Sequence, residues 1–253
     1  MFIGNYNHFK AGCIIDNTNI QNLNLLNKDA RDYVYNELTR IIEYYDLDIF
    51  RIDGGLKEPS EEYKDGIING TSWEYFEIFF DIIDDIRKKH PHVYFENCSG
   101  GAGRSDIQIM KHFDWMSLTD LFEMSAHLRV LYGLSIAFAP EQMHSTSHFS
   151  RITKGDCAFA SRVALFGHIT LTGIGEDATE FNEYSNSEVV HAMDIYKKHI
   201  RPILDNSNLY HHSKFTPYME KGDWVVIELA STNKTKSIIE LFKLDGAKDD
   251  TFK

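Results

Sequence analysis

The chain has 253 residues, 26 of them Lys or Arg and 38 Asp or Glu, for a formal charge of −12 at pH 7. That balance excludes a general nucleic-acid binder, which needs a basic face. A chain that is 43% hydrophobic and 13% aromatic is too apolar to be disordered. No apolar run approaches the roughly 20 residues that cross a bilayer, so no membrane partner is expected. Three cysteines make no disulfide framework. Residues 1–10 lack a basic stretch leading into an apolar core, so a cytoplasmic location is expected.

Residues 12–16 are a short apolar run ending in Asp16, the first predicted strand. Ala30, Val34, Leu38, Ile41, Ile42 and Tyr45 recur at steps of three and four and predict a helix. Asp29 and Asp32 sit near its start, where the helix dipole favours acids. Residues 48–53 predict a second strand. Thr71 and Glu74 have capping-box spacing. They precede Trp73, Phe76, Phe79, Phe80, Ile83 and Ile86, a helix that Pro91 stops and whose aromatic residues read as core. Further strands are predicted at 92–97, 113–118, 134–139 and 168–172. Helices are predicted at 105–111, 123–132, 156–166 and 187–203.

This alternation predicts a parallel sheet covered by helices. The count is six strand–helix units, where a closed barrel needs eight. After Pro202 the pattern changes to strands at 208–215, 223–230 and 237–244, joined by turns at Lys221-Gly222 and 233–236. A small all-β domain is therefore expected from residue 205, after a first domain spanning 1–204.

In a parallel α/β barrel the loops that follow the strands build the site. Three strand ends carry chemistry: Arg51-Ile52-Asp53-Gly54-Gly55, the stretch from Glu96 to Asp106, and Ser117-Leu118-Thr119-Asp120. Carboxylates on separate strand ends suit glycoside hydrolysis, one attacking the anomeric carbon and the other protonating the leaving oxygen. Arg51 is two residues from Asp53 and shares its strand face, so its charge favours an ionised Asp53, as a nucleophile requires. Asp120 has no basic neighbour in sequence, which suits an acid/base. Each of these acids could instead be a helix cap or turn former. Gly100, Gly101 and Gly103 let backbone approach a ligand closely. The loop lacks the ending of a phosphate-binding loop and the spacing of a dinucleotide fingerprint. A polyol could use its N–H groups, with Arg104 adding donors. The alternative is a turn that caps the following helix.

Other signals are weaker. His144 and His148 are four apart, a metal spacing on a helix, but they follow Pro140 in a Ser/Thr-rich stretch, so no metal is expected. Cys13 and Cys157 read as small apolar residues. Cys98 could be a reactive thiol activated by a helix start, but no His is placed by sequence to activate it, so a ligand contact is the preferred reading. Trp115 could be core or the wall of a subsite. His211-His212 reads as a solvated strand or turn.

The stretch Glu96-Asn97-Cys98-Ser99-Gly100-Gly101-Ala102-Gly103-Arg104-Ser105-Asp106 resembles the signature of glycoside hydrolase family 36, the α-galactosidases. Arg51-Ile52-Asp53 is similar to that family's lysine–tryptophan–aspartate, and Thr119-Asp120 to its serine–aspartate. Tyr132-Gly133-Leu134-Ser135, Met143-His144 and Ile200-Arg201-Pro202-Ile203 look like further landmarks, in one order across residues 12–212. The resemblance implies a (β/α)8 barrel of TIM type, incomplete at its N-terminus here, followed by a short all-β domain. It implies a retaining enzyme that cleaves terminal α-D-galactosides without a cofactor. Asp53 would be the nucleophile and Asp120 the acid/base. Arg51, Cys98, Gly101, Arg104 and Asp106 would form the substrate site. The implied partners are an α-galactoside oligosaccharide and a second copy of the chain.

Four departures bear on the sugar: Arg51 replaces a lysine, Gly55 an asparagine and Ala102 a glycine, and the family's extra acid just after the acid/base is not matched at the same spacing. Members of the family are longer, so the chain reads as a fragment of a catalytic barrel. The alternatives are a non-catalytic carbohydrate-binding remnant, or a related α-glycosidase or transglycosidase acting on N-acetylgalactosamine or an arabinose-like sugar.

Overall fold

The computed structural model describes residues 14–17, 20–54, 71–121, 123–148, 157–172 and 183–252. The chain forms two compact units, Met1–Asp114 and Trp115–Lys253.

The first unit opens with β1 (Ile14–Asn17) and β2 (Ile20–Leu23), paired antiparallel. The strand expected at 12–16 is therefore one arm of a hairpin and not the first member of a parallel series. Its two-residue connection is far too short for the crossover that parallel strands require. Residues 12 and 13, with Cys13, lie outside the described residues. Helix α1 (Lys28–Tyr45) is capped by Asn27, whose side chain accepts the Asp29 N–H, and buries Ala30, Val34, Leu38 and Ile42. Strand β3 (Ile49–Ile52), helix α2 (Thr71–Lys89) and strand β4 (Tyr94–Asn97) follow. The Thr71 side chain of the expected capping box lies outside the described residues.

Helix α2 buries Tyr75, Phe79, Phe80, Ile82, Ile83 and Ile86. Trp73, expected in the core, is 59% exposed. It stands in the first turn, past the end of the packed stripe, where Phe76 is already only half buried. Strands β3 and β4 pair in parallel, with Arg51 opposite Glu96 and Ile52 opposite Asn97. The helix expected at 105–111 shrinks to one 3₁₀ turn, Ile109–Lys111. Residues before it are held in turns, because Ser105 N–H returns to Ala102 O and Asn97 Nδ2 donates to Arg104 O.

In the second unit β5 (Trp115–Ser117), α3 (Met124–Leu134), β6 (Met143–His148), α4 (Cys157–Val163), β7 (His168–Thr172) and α5 (Glu183–Ile195) alternate. Strands β5, β6 and β7 run parallel in that order. The strand expected at 134–139 is displaced. Backbone bonds from Ala137 and Phe138 to Leu134 O keep that segment in helical turns, and the strand begins at Met143. Its sequence, Met-His-Ser-Thr-Ser-His, is polar and reads as loop. It is a strand nonetheless because its buried polar groups are satisfied on both faces: Ser145 bonds His127 Nε2 at 2.8 Å, and His144 bonds Thr170. His144 thus lies on a strand, and the side chain of His148 is outside the described residues. Helix α4 ends three residues earlier than expected. Helix α5 ends at Ile195, and residues 196–200 continue as a π-helical turn before Pro202.

Strands β8 (Ser207–His211), β9 (Trp224–Ser231) and β10 (Ser237–Lys243) form an antiparallel sheet in the order β10-β9-β8. Strand β9 buries Val225, Val226, Ile227 and Leu229, while β10 alternates and turns Glu240 and Phe242 inward. His211 is packed where solvent was expected: it lies 4.4 Å from the Tyr132 ring and bonds Ser135 Oγ at 2.9 Å. Taken through the chain, five parallel strands alternate with helices and a three-stranded antiparallel sheet follows. This is the α/β class expected, a partial (β/α)8 barrel and an all-β segment.

Candidate active site

The register of β3 on β4 builds the site. Alternate residues of a strand share a face, and partners across a ladder share it too. With Arg51 opposite Glu96, the next positions on that face are Asp53 and Cys98. Four reactive side chains therefore meet at the C-terminal end of two strands.

Arg51 is the hub. Its Nε and Nη2 donate to Asp53 Oδ2 at 3.3 and 3.1 Å. Nη1 donates to Glu96 Oε1 at 3.1 Å, and Nη2 to Cys98 Sγ at 2.9 Å. Gly54, at φ 91°, turns the chain so that its N–H reaches Asp53 Oδ1 at 2.7 Å. The Asp53 carboxyl is half exposed and open to a ligand. Its partial burial opposes ionisation, but bonds from the Cys98 thiol, the Gly54 N–H and the Arg51 guanidinium outweigh that and hold it below the ordinary carboxylate range.

Cys98 is fully buried. Burial and the neighbouring Asp53 push its thiol up, against the pull of the Gly101 N–H and Arg51. A raised thiol does not suit the alternative of a nucleophile activated by a helix start, and turns, not a helix, follow Cys98. Arg104 joins the two strand ends through Nη2, which donates to Cys98 O at 2.6 Å and Ile52 O at 3.3 Å. Burial lowers its proton affinity while Cys98 and Asp53 oppose that change. Gly101 O accepts the Ser99 N–H at 2.8 Å, closing the glycine turn. Asp106 caps the 3₁₀ turn through Oδ1, which accepts the Ile109 N–H at 2.8 Å. Arg104 and Asp106 also line a cavity of about 660 Å³ with Trp73, Phe76, Phe80 and Asp81.

The structure thus gathers Arg51, Asp53 and Cys98, with Arg104 beneath them. Asp120 stands exposed in the second unit, just past the end of β5. Thr119, beside it, is buried and accepts the Leu121 N–H at 3.1 Å. Trp115 is half buried, with its ring 4.7 Å from that of His168. Gly55 lies outside the described residues. Sequence reasoning assigned no role to Glu96, although it begins the glycine signature. Its signal was an acid inside a predicted strand, beside Val93, Tyr94 and Phe95. Among the described residues no group of three His, Cys, Asp or Glu side chains is arranged to hold a metal, and no helix is long and apolar enough to cross a membrane.

Comparison with known proteins bears on the family and the fold. The melibiase family model matches residues 15–206. The probable alpha-galactosidase C of Aspergillus flavus is 22% identical over 231 residues, covering 88% of this chain and 28% of its own length. The solved α-galactosidase of Lactobacillus brevis superposes with a TM-score of 0.74 at 18% identity, covering 88% of this chain and 30% of that one. A variant of the α-galactosidase AgaA from Geobacillus stearothermophilus, solved in complex with raffinose, gives 0.70 at 16% identity over 91% of this chain and 33% of its own. The chain spans under a third of the length of these relatives. The family match covers most of the chain, the fold agrees with the solved structures, and the glycine signature sits where β4 ends: this chain belongs to the melibiase family, of the glycoside hydrolase family 36 type.

Proposed function

We propose that the protein is a retaining α-galactosidase in which Asp53 is the nucleophile and Asp120 the acid/base. The observation that carries this reading is the Asp53 carboxylate at a strand end, open to a ligand on one side and kept ionised by Arg51 and the Gly54 N–H on the other. An ionised, fixed carboxylate is what the first displacement needs.

In that step an Asp53 oxygen forms a bond to the anomeric carbon. The bond from that carbon to the leaving oxygen breaks, and Asp120 gives the leaving oxygen its proton. In the second step Asp120 takes a proton from water, the water oxygen bonds the anomeric carbon, and Asp53 is released. Four of the five guanidinium N–H groups of Arg51 are engaged with Asp53, Glu96 and Cys98. The fifth, on Nη1, is what Arg51 can offer a sugar hydroxyl. Cys98, Gly101, Arg104 and Asp106 complete the substrate site that the family resemblance implies. The raffinose complex of AgaA supports an α-galactoside oligosaccharide as substrate.

The test is release of p-nitrophenol from p-nitrophenyl α-galactoside, with Asp53→Asn and Asp120→Asn as controls. Loss of turnover by orders of magnitude in both variants is the expected result. Normal turnover in either variant would remove its assigned role. Galactoside affinity without turnover in the unmutated chain would favour the carbohydrate-binding reading.

A further inference from the structure

We propose that Glu96 is the positioning residue of the nucleophile, holding the Arg51 guanidinium across the Asp53 carboxylate from the neighbouring strand. The inference rests on the glycosidase reading of Asp53 and gives a role to an acid that the reading leaves unused.

Glu96 is an unusual residue for its place. Its side chain is only 6% exposed, it lies on a strand between fully buried Phe95 and Asn97, and its Oε1 sits 3.1 Å from Arg51 Nη1. An acid this buried is rarely retained without a cationic partner, and here the partner is shared. The sharing has a direction. Glu96 is anchored in the ladder directly opposite Arg51, whereas Asp53 follows the end of β3 and is half exposed. The Arg51 side chain is itself 37% exposed and long enough to swing into solvent. One carboxylate bound through Nη1 removes that freedom and aims Nε and Nη2 at Asp53 Oδ2, since the guanidinium is a planar fork. The buried Cys98 sulfur, 2.9 Å from Nη2, fixes the third side of the fork. A lysine at position 51 has a single charged nitrogen and could not span Glu96, Cys98 and Asp53 in this way.

Among the described residues, the charged and titratable groups around the Asp53 carboxylate are Arg51, Glu96, Cys98 and Arg104. They supply a sign test. As a bystander charge, Glu96 repels a proton-free Asp53, so removing it by any substitution lets Asp53 ionise more easily. As an anchor for Arg51, Glu96 has the opposite effect. Glu96→Gln keeps an oxygen acceptor in place and deletes the charge. Glu96→Ala deletes both.

The experiment is an NMR titration of the 253-residue chain carrying ¹³C-carboxyl aspartate, with the Asp53 resonance assigned by its loss in Asp53→Asn. The expected result is that the two variants move the Asp53 midpoint in opposite directions, Glu96→Gln down and Glu96→Ala up. In Arg51→Met/Glu96→Ala the upward effect of the alanine should vanish against Arg51→Met alone. Turnover of the galactoside should follow the same order. Glu96→Ala should lower kcat on the order of a hundredfold with little change in KM, and Glu96→Gln should keep most of it. Downward movement in both variants, or no movement in Glu96→Ala, would overturn the proposal. Opposite movements in a chain that turns over no galactoside would leave the positioning role standing and remove the glycosidase reading beneath it.

Discussion

Asp114 supports the strand that carries Glu96, and its loss should cost more stability than the loss of its partner Arg87. Its Oδ2 accepts Arg87 Nη1 at 2.5 Å and the Phe95 N–H at 2.7 Å, and its Oδ1 accepts Arg87 Nη2 at 2.9 Å. Phe95 is fully buried. In Asp114→Ala the Phe95 N–H has no acceptor, which costs about 1–3 kcal/mol. The Arg87–Asp114 pair, 30% and 23% exposed, adds about 1 kcal/mol after allowance for solvent screening. The expected loss is about 2–4 kcal/mol. Arg87→Ala breaks the same ion pair but leaves the Phe95 N–H satisfied. It loses about 1 kcal/mol, plus a few tenths from the guanidinium lying 5.8 Å from the Phe95 ring. Urea unfolding followed by circular dichroism measures both losses, provided the slope m stays constant. Equal losses for the two variants would refute the reasoning, because the backbone bond would then carry no weight.

Three other outcomes are expected. Gly103→Ala should destabilise the first unit by about 1–3 kcal/mol in the same assay, because a Cβ there would run into the Ser99 carbonyl oxygen and one chain segment must shift. Burial pushes the Glu240 carboxyl well above its ordinary value against the pull of Arg162, and neither oxygen has a partner among the described residues. The unfolded chain ionises first as pH rises, so the penalty grows above the ordinary carboxylate value; Glu240→Gln should be more stable than the parent at neutral pH, by a margin that shrinks on acidification. For Asp53 the sign reverses. Its folded value is depressed, so its small stabilising contribution is present above the unfolded value and is lost as pH falls through the folded one. The stability gap between the parent and Asp53→Asn should therefore close in acid, as urea midpoints measured across pH will show.

The residues of the site differ in how legible they were. The contact of Arg51 with Asp53 follows from strand parity alone, since residues two apart share a face. Helices α1 and α2 follow from apolar spacing, which is a local property. The site role of Glu96 was not legible, because nothing local pairs residue 96 with residue 51. Only the register of β3 on β4 does so. Strand β6 was missed for a related reason. Apolar patterning marks a strand that faces an apolar core, and β6 turns Ser145 and His144 toward polar partners on α3 and β7.

The sequence by itself determined the parallel α/β class, the all-β end and the glycine loop with its neighbouring acids, because periodicity and local composition dictate each. The tertiary structure decided that Ile14–Asn17 pairs antiparallel with Ile20–Leu23, that the glycine loop runs into turns and not a helix, and that Cys98 is a shielded thiol. It also decided that one guanidinium holds two carboxylates and a sulfur together. Those outcomes depend on which strands pair and in what register, and pairing between distant segments is set by the packing of the whole unit.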